Sequence, residues 1–258
     1  MMNTIHVKKY EEPPFDRKEI FRYMGSPKPT PEVAAMTEEC IAEARPRLSY
    51  KVCWREFDIS RAKAGGAPIG ETAFSSGSCL DLGFAVTYSK DLQKNLSGCC
   101  RILLFGATVG LELDRLIARY GRVSPAKALC FQAIGAERIE SLCNAFNCEV
   151  DSKLRSEGFF TRPRFSPGYG DLAIDIQKDI FIALDCSRKI GLSLNESLLM
   201  SPSKSVTAII GISAEPKKGK DQDGRHSNGQ SNSPAAGNGL ETAGCAACTK
   251  TDCTFRRE

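Results

Sequence analysis

Two places in the sequence carry side chains suited to chemistry. The first is Arg164-Phe165-Ser166-Pro167-Gly168-Tyr169-Gly170-Asp171, lying between two helix-like segments. A guanidinium such as Arg164 is a planar, fixed cation that pairs bidentately with a carboxylate or phosphate. Pro167-Gly168 suits the two central positions of a type II turn, the second of which needs positive φ. Glycines at 168 and 170 let ligand atoms approach the backbone. The face of Tyr169 can stack on a heterocycle or attract a cation. A carboxylate, a cation and an aromatic base all occur together in S-adenosylmethionine. The plainer alternative is a surface turn with a structural arginine and a packed tyrosine.

The second place is the run Cys245-Ala246-Ala247-Cys248-Thr249-Lys250-Thr251-Asp252-Cys253. C-x-x-C sets two thiols within reach of one metal ion, and Cys253 adds a third. Lys250, Arg256 and Arg257 favour thiolates. Three soft ligands suit an iron–sulfur cluster or zinc, with a fourth ligand from elsewhere. A redox dithiol and an idle tail are the other readings. Neither His6 nor His226 stands where it would complete a metal site or a Cys-His nucleophile, and no catalytic residue is assigned.

Elements must hold these groups in place. The chain has 258 residues, 41% apolar and 26% charged, with a formal charge of +4. That is a soluble globular composition. It holds no dense Lys/Arg block for nucleic acid, no apolar run long enough for a bilayer and no signal-peptide core, so a cytoplasmic protein is expected. Seven of the twelve cysteines (Cys40, Cys53, Cys79, Cys130, Cys143, Cys148 and Cys186) lie in apolar-periodic segments and read as small buried hydrophobes.

Thr30-Pro31-Glu32 predicts a capped helix to about Arg45. Alternation predicts strands over Leu48–Trp54 and Leu80–Tyr88, and Arg101–Phe105 reads as a buried strand. Helices are expected from Thr108 to Gly121, from Ser124 to about Leu154, and from Asp175 to Gly191. Leu198–Met200 and Val206–Ile212 read as strand, turn, strand. Helices and strands mix without strict alternation, which predicts an α+β domain with a mixed, largely antiparallel sheet and packed helices. Four regions result: an N-terminal helix and strand arm over residues 1–60 packed on the core, the core itself over 61–214, a flexible linker over 215–244 that lacks large apolar side chains, and a cysteine-rich tail over 245–258.

Several of these pieces, in order, resemble the C-terminal activation (reactivation) domain of cobalamin-dependent methionine synthase. The shared features are Arg164, the turn Pro167-Gly168-Tyr169, the following helix, Asn195-Glu196-Ser197, and the hairpin Met200-Ser201-Pro202-Ser203-Lys204-Ser205-Val206. The helices from Phe105 to about Glu149 are also similar. The resemblance implies a domain that binds S-adenosylmethionine and presents its methyl group to cobalamin. Arg164 would meet the amino-acid carboxylate, Gly168 and Tyr169 would line the site, and a helix glutamate of the family falls on Glu149.

Two departures stand out. The family continues its loop Tyr-Pro-Ala-Cys-Pro, where this chain has Tyr169-Gly170-Asp171-Leu172-Ala173. The family also has a Tyr-Tyr pair after the hairpin, where this chain enters its linker. The homocysteine, folate and cobalamin modules have no room in 258 residues. The expectation is therefore a freestanding reactivation partner, a component of methyltransferase activity rather than a complete enzyme. It would serve a cobalamin-binding methionine synthase that lacks its own activation domain, supporting reductive methylation of cob(II)alamin. The cobalamin would be presented by that partner. The electron would come from a donor such as flavodoxin or ferredoxin, with the tail cysteines as a relay. A docking module for a corrinoid protein, and a thiol or metal redox protein built around the tail, are the alternatives.

Overall fold

The computed structural model describes residues 4–63 and 78–216. In chain order the elements are β1 (His6–Lys9), α1 (Arg17–Tyr23), α2 (Pro31–Ala44), β2 (Lys51–Asp58), β3 (Ser60–Lys63), β4 (Ser78–Asp81), β5 (Val86–Thr87), α3 (Lys90–Asn95), β6 (Arg101–Thr108), α4 (Glu112–Val123), α5 (Pro125–Ser156), β7 (Phe160–Thr161), α6 (Gln177–Leu184), α7 (Cys186–Ile190), β8 (Ser193–Leu194), β9 (Met200–Ser201) and β10 (Ser205–Ser213). One five-stranded sheet, ordered β1-β2-β6-β10-β7, organises the molecule, and every pairing among the described residues is antiparallel. A short curl of β3-β4-β5 and the hairpin β8-β9 stand apart from it.

Strand alternation splits the core into two layers. Leu103, Phe105 and Ala107 of β6 and Ala208, Ile210 and Ile212 of β10 face α1, α2, α4 and α5. Ile102, Leu104 and Ile209 face the other way, onto α3, α6 and α7. A sheet covered on both sides explains why Val52 and Cys53 are both buried though adjacent, and why β6 reads as a continuous apolar run. β1 and β2 belong to this same sheet, so the N-terminal 60 residues share one core with the rest of the domain.

The helix α5 is the spine of one layer. Ser124 caps it by accepting from the Lys127 N–H, and Pro125 occupies its first turn. Gly158, at φ 84°, ends it, with Phe159 N–H donating to the Leu154 carbonyl and Gly158 N–H to that of Arg155. That is a left-handed C-terminal cap, which glycine adopts without strain.

Four sequence expectations change. The stretch 80–88 is two short strands, because Gly83 at φ 77° reverses the chain between them; Val86 and Tyr88 are exposed. The segment 175–191 is not one helix: Asp185, at φ 47°, breaks it into α6 and α7. β1 and α1 carry too little apolar periodicity to be foreseen. Cys148 is exposed rather than buried, being on the outer side of α5. The glycine-rich stretch 64–68, most of the linker and the cysteine-rich tail lie outside the described residues.

Candidate ligand-binding site

The site begins with a register fault at the edge of the sheet. Arg162 N–H donates to the Gly211 carbonyl at 2.8 Å, and Phe165 exchanges bonds with Ile209 at 2.8 and 2.9 Å. Two residues, Pro163 and Arg164, therefore oppose the single residue Ile210. Such a bulge re-aims a side chain. Phe165 follows Ile209 into the α6 layer, whereas Arg164 turns to the α5 face. Pro163 is tolerated because the strand is at an edge and needs no further partner.

There the Arg164 guanidinium meets two residues one helical turn apart. Its Nη2 donates to Glu140 in a short ion pair, and its Nη1 donates to Asn144 Oδ1 at 3.2 Å. The side chains are 24% and 36% exposed for Arg164 and Glu140, so the pair is open to solvent on one side. Burial alone would lower the guanidinium's pKa, but neighbouring Cys143, Glu140 and Tyr169 outweigh it and hold the pKa above its ordinary value. Full burial pushes the Cys143 thiol up to about 12.

The polar stripe continues along α5. Asp151 accepts from Thr161 Oγ1 at 2.7 Å, on the strand leading to Arg164. Between them Asn147 presents a buried side-chain oxygen with no hydrogen-bond partner. The site is thus a fixed cation beside a ladder of acceptors, the far end of which, Asp151, is also paired with Arg155 at 2.6 Å. Glu140, Asn144, Asn147 and Asp151 follow a four-three-four spacing, opposite the buried Leu142, Phe146 and Val150. That polar stripe, set against the apolar stripe of the same helix, was the available signal for Glu140, which sequence reasoning missed.

Beyond Arg164 the chain makes the turn its sequence predicts. Tyr169 N–H donates to the Ser166 carbonyl at 3.2 Å, with Gly168 at φ 85° in the third position. Tyr169 is 57% exposed. The departure from the family pattern has a structural reason. Asp171 accepts from the Ser89 hydroxyl, from Lys90 N–H at 2.7 Å and from Asp91 N–H at 3.1 Å, fastening the loop to the start of α3. Burial would raise the Asp171 pKa, but these three donors outweigh it and hold the carboxyl below its ordinary value. Gly170 is where the two chain segments touch: a Cβ there would overlap the Asp91 carboxylate.

Arg164, Gly168 and Tyr169 are therefore brought into one place, and Glu149 is not. Nine residues along α5 from Glu140, it lies about 13 Å away on the opposite face. Lys8 Nζ donates to both its oxygens at 2.7 Å, and Tyr10 Oη donates to one at 2.7 Å. These bonds hold its carboxyl below the ordinary range. The acid beside Arg164 is Glu140. The hairpin motif serves the scaffold: Ser203 donates through its N–H and hydroxyl to Asp114 of α4, and Ser205 Oγ donates to Thr108 Oγ1 at 2.8 Å. Cys245, Cys248 and Cys253 lie outside the described residues. Among the described residues no group of three or more His, Cys, Asp or Glu side chains is arranged to hold a metal ion, and no helix is long and apolar enough to cross a membrane.

No family model matches the chain, and comparison with curated proteins finds no match. Solved structures do match: among them, the MetH reactivation domain bound to AdoHcy aligns over 81% of this chain and 78% of that chain, with a TM-score of 0.56. This chain has the fold of the MetH reactivation domain. Sequence identity over the match is 15%, so the backbone arrangement is shared where most side chains are not.

Proposed function

We propose that the chain binds S-adenosylmethionine at the Arg164 loop and acts as the reactivation partner of a cobalamin-dependent methionine synthase. The observation that carries this reading is the bulge that turns Arg164 out of the sheet, onto an open face of α5, in a fold whose solved relative holds AdoHcy. The donor set fits the ligand. Arg164 suits the amino-acid carboxylate, and Glu140 suits the α-ammonium. Tyr169, largely exposed beside the turn, suits the purine. The ligand, when bound, supplies the sulfonium methyl. The chain's part is orientation, which lowers a methyl-transfer barrier by fixing the donor against the acceptor. Cobalamin is carried by the partner enzyme, which lacks an activation domain of its own. The electron comes from a flavodoxin or ferredoxin class of donor, with an iron–sulfur cluster on the tail cysteines as the relay; zinc there would be structural, since it carries no electron.

The test is reconstitution. A methionine synthase without an activation domain is trapped as cob(II)alamin and supplied with reductant, S-adenosylmethionine and this protein. Return of the methylcobalamin spectrum is the expected result. A spectrum that stays at cob(II)alamin with every component present removes the proposal.

A second reading has its own observation behind it. Arg164 is already engaged by Glu140 and Asn144, and the residues after Tyr169 are spent on fastening the loop to α3. A chain that docks on a corrinoid protein without binding S-adenosylmethionine would need nothing more. Co-elution with the corrinoid protein, combined with no heat on titration with S-adenosylmethionine, selects this reading.

A further inference from the structure

Each layer of the core contains a pair of facing cysteines, and the two pairs differ in what could open them. Cys40 of α2 and Cys130 of α5 meet in one layer, where the Cys130 thiol also donates to Thr37 Oγ1 at 3.7 Å. Cys53 of β2 and Cys186 of α7 meet in the other. All four are free and buried. The second pair converges over Gly106 in the middle of β6. A Cβ on that glycine would stand 3.5 Å from Cys186 Sγ and 3.6 Å from Cys53 Sγ, so the missing side chain is what makes room for both sulfurs.

Cys40 and Cys130 are held by helices of 14 and 32 residues. Cys186 instead opens a five-residue helix with a left-handed residue at each end, Asp185 at φ 47° and Gly191 at φ 72°. A helix that short has little stability of its own. A non-glycine residue in the left-handed region adds strain at one joint. This is the segment that can lift from β2 and uncover Cys53 as well as its own sulfur without unfolding the sheet.

We propose that Cys53 and Cys186 form a dithiol site that low-molecular-weight disulfides convert to an internal disulfide, pinning α7 to β2. The Cys53 thiolate attacks oxidised glutathione, forming a mixed disulfide and releasing one glutathione thiolate. Cys186 gives its proton to solvent, attacks the Cys53 sulfur and releases the second. Two protein thiols lose two electrons in total, and one glutathione disulfide becomes two glutathiones. The arrangement favours Cys53 as the first nucleophile. With α7 seated, its sulfur accepts the hydrogen bond of the Cys186 thiol and Lys189 lies within electrostatic reach, so its pKa is below that of an ordinary thiol although burial opposes this; as α7 lifts, Cys53 stays fixed in β2, where the oxidant meets it.

The full chain, incubated natively with oxidised glutathione, is alkylated and mapped by mass spectrometry without reduction. The expected product is a peptide linking Cys53 to Cys186, lost on dithiothreitol treatment, with Cys40 and Cys130 still recovered as free thiols. Exposed Cys100 and Cys148 report that the oxidant has reacted. In Cys186→Ser the linked peptide is lost, and glutathione stays on Cys53. If Cys53 and Cys186 both remain free thiols after Cys100 and Cys148 are modified, or if Cys40–Cys130 links first, the proposal is overturned.

Discussion

Two arginine–glutamate pairs have their glutamates one turn apart on α5, and they do opposite things. Glu137 and Arg138 are 2% and 0% exposed. Arg138 donates to the carbonyls of Pro13 and Pro14 and stacks on Phe15 at 3.7 Å, while Glu137 accepts from Asp16 N–H at 3.1 Å and Ser141 Oγ at 2.7 Å. That pair is spent on strapping the N-terminal arm to the core. Glu140 with Arg164 is the same chemistry left half open. A buried pair with saturated partners is structure, and its loss leaves a charge stranded in low dielectric. An open pair contributes little to stability, and its charges stay available to a ligand. Burial, more than residue type, separates the two roles.

The contrast can be challenged in descending order of effect. Arg138→Ala strands Glu137 and releases the arm. A loss of about 3–5 kcal/mol is expected by urea denaturation, and a loss below ~1 kcal/mol would erase the distinction between the pairs. Gly170→Ala sets a side chain against Asp91 at positive φ, so about 1–2 kcal/mol should be lost from the loop. Local hydrogen exchange over residues 89–92 and 166–172 reads it. Arg164→Ala should change stability by no more than ~1 kcal/mol, since both partners keep access to water.

The smallest effect is in pH. The Asp171 carboxyl is depressed in the folded state, so its contribution is present above the unfolded value of about 3.9 and lost as pH falls through the lower folded value. Wild type and Asp171→Asn should differ by at most ~1 kcal/mol near neutrality, like a lost helix cap. Their denaturation midpoints should converge below about pH 4. A gap that stays constant from about pH 3 to about pH 7 would assign the effect to something other than this carboxylate.

The sequence made some of this plain and hid the rest, for physical reasons. Residues 124–156 announced a long helix through cap, proline and period, and Pro167-Gly168 announced its turn, because local chemistry decides both. The α+β class came from the same signals. Hidden were β1, whose four residues are all exposed and which is set in place by pairing with β2, and the break at Asp185, where an apolar-periodic stretch turns left-handed. Arg164 was legible as a cation in a ligand-like loop. Its acid was not: Glu149 and Glu140 are equivalent as letters, and only the bulge opposite Ile210 decides which of them Arg164 reaches.

Whether the open pair serves a ligand decides the function. Titrating S-adenosylmethionine into the folded protein and into Arg164→Ala by calorimetry measures this directly. A saturable heat is expected in the wild type, with an affinity weakened by about 2–3 kcal/mol, roughly 30- to 150-fold, in the variant. A wild type that gives no heat, or a variant that binds as tightly as the wild type, would show that Arg164 holds no such ligand.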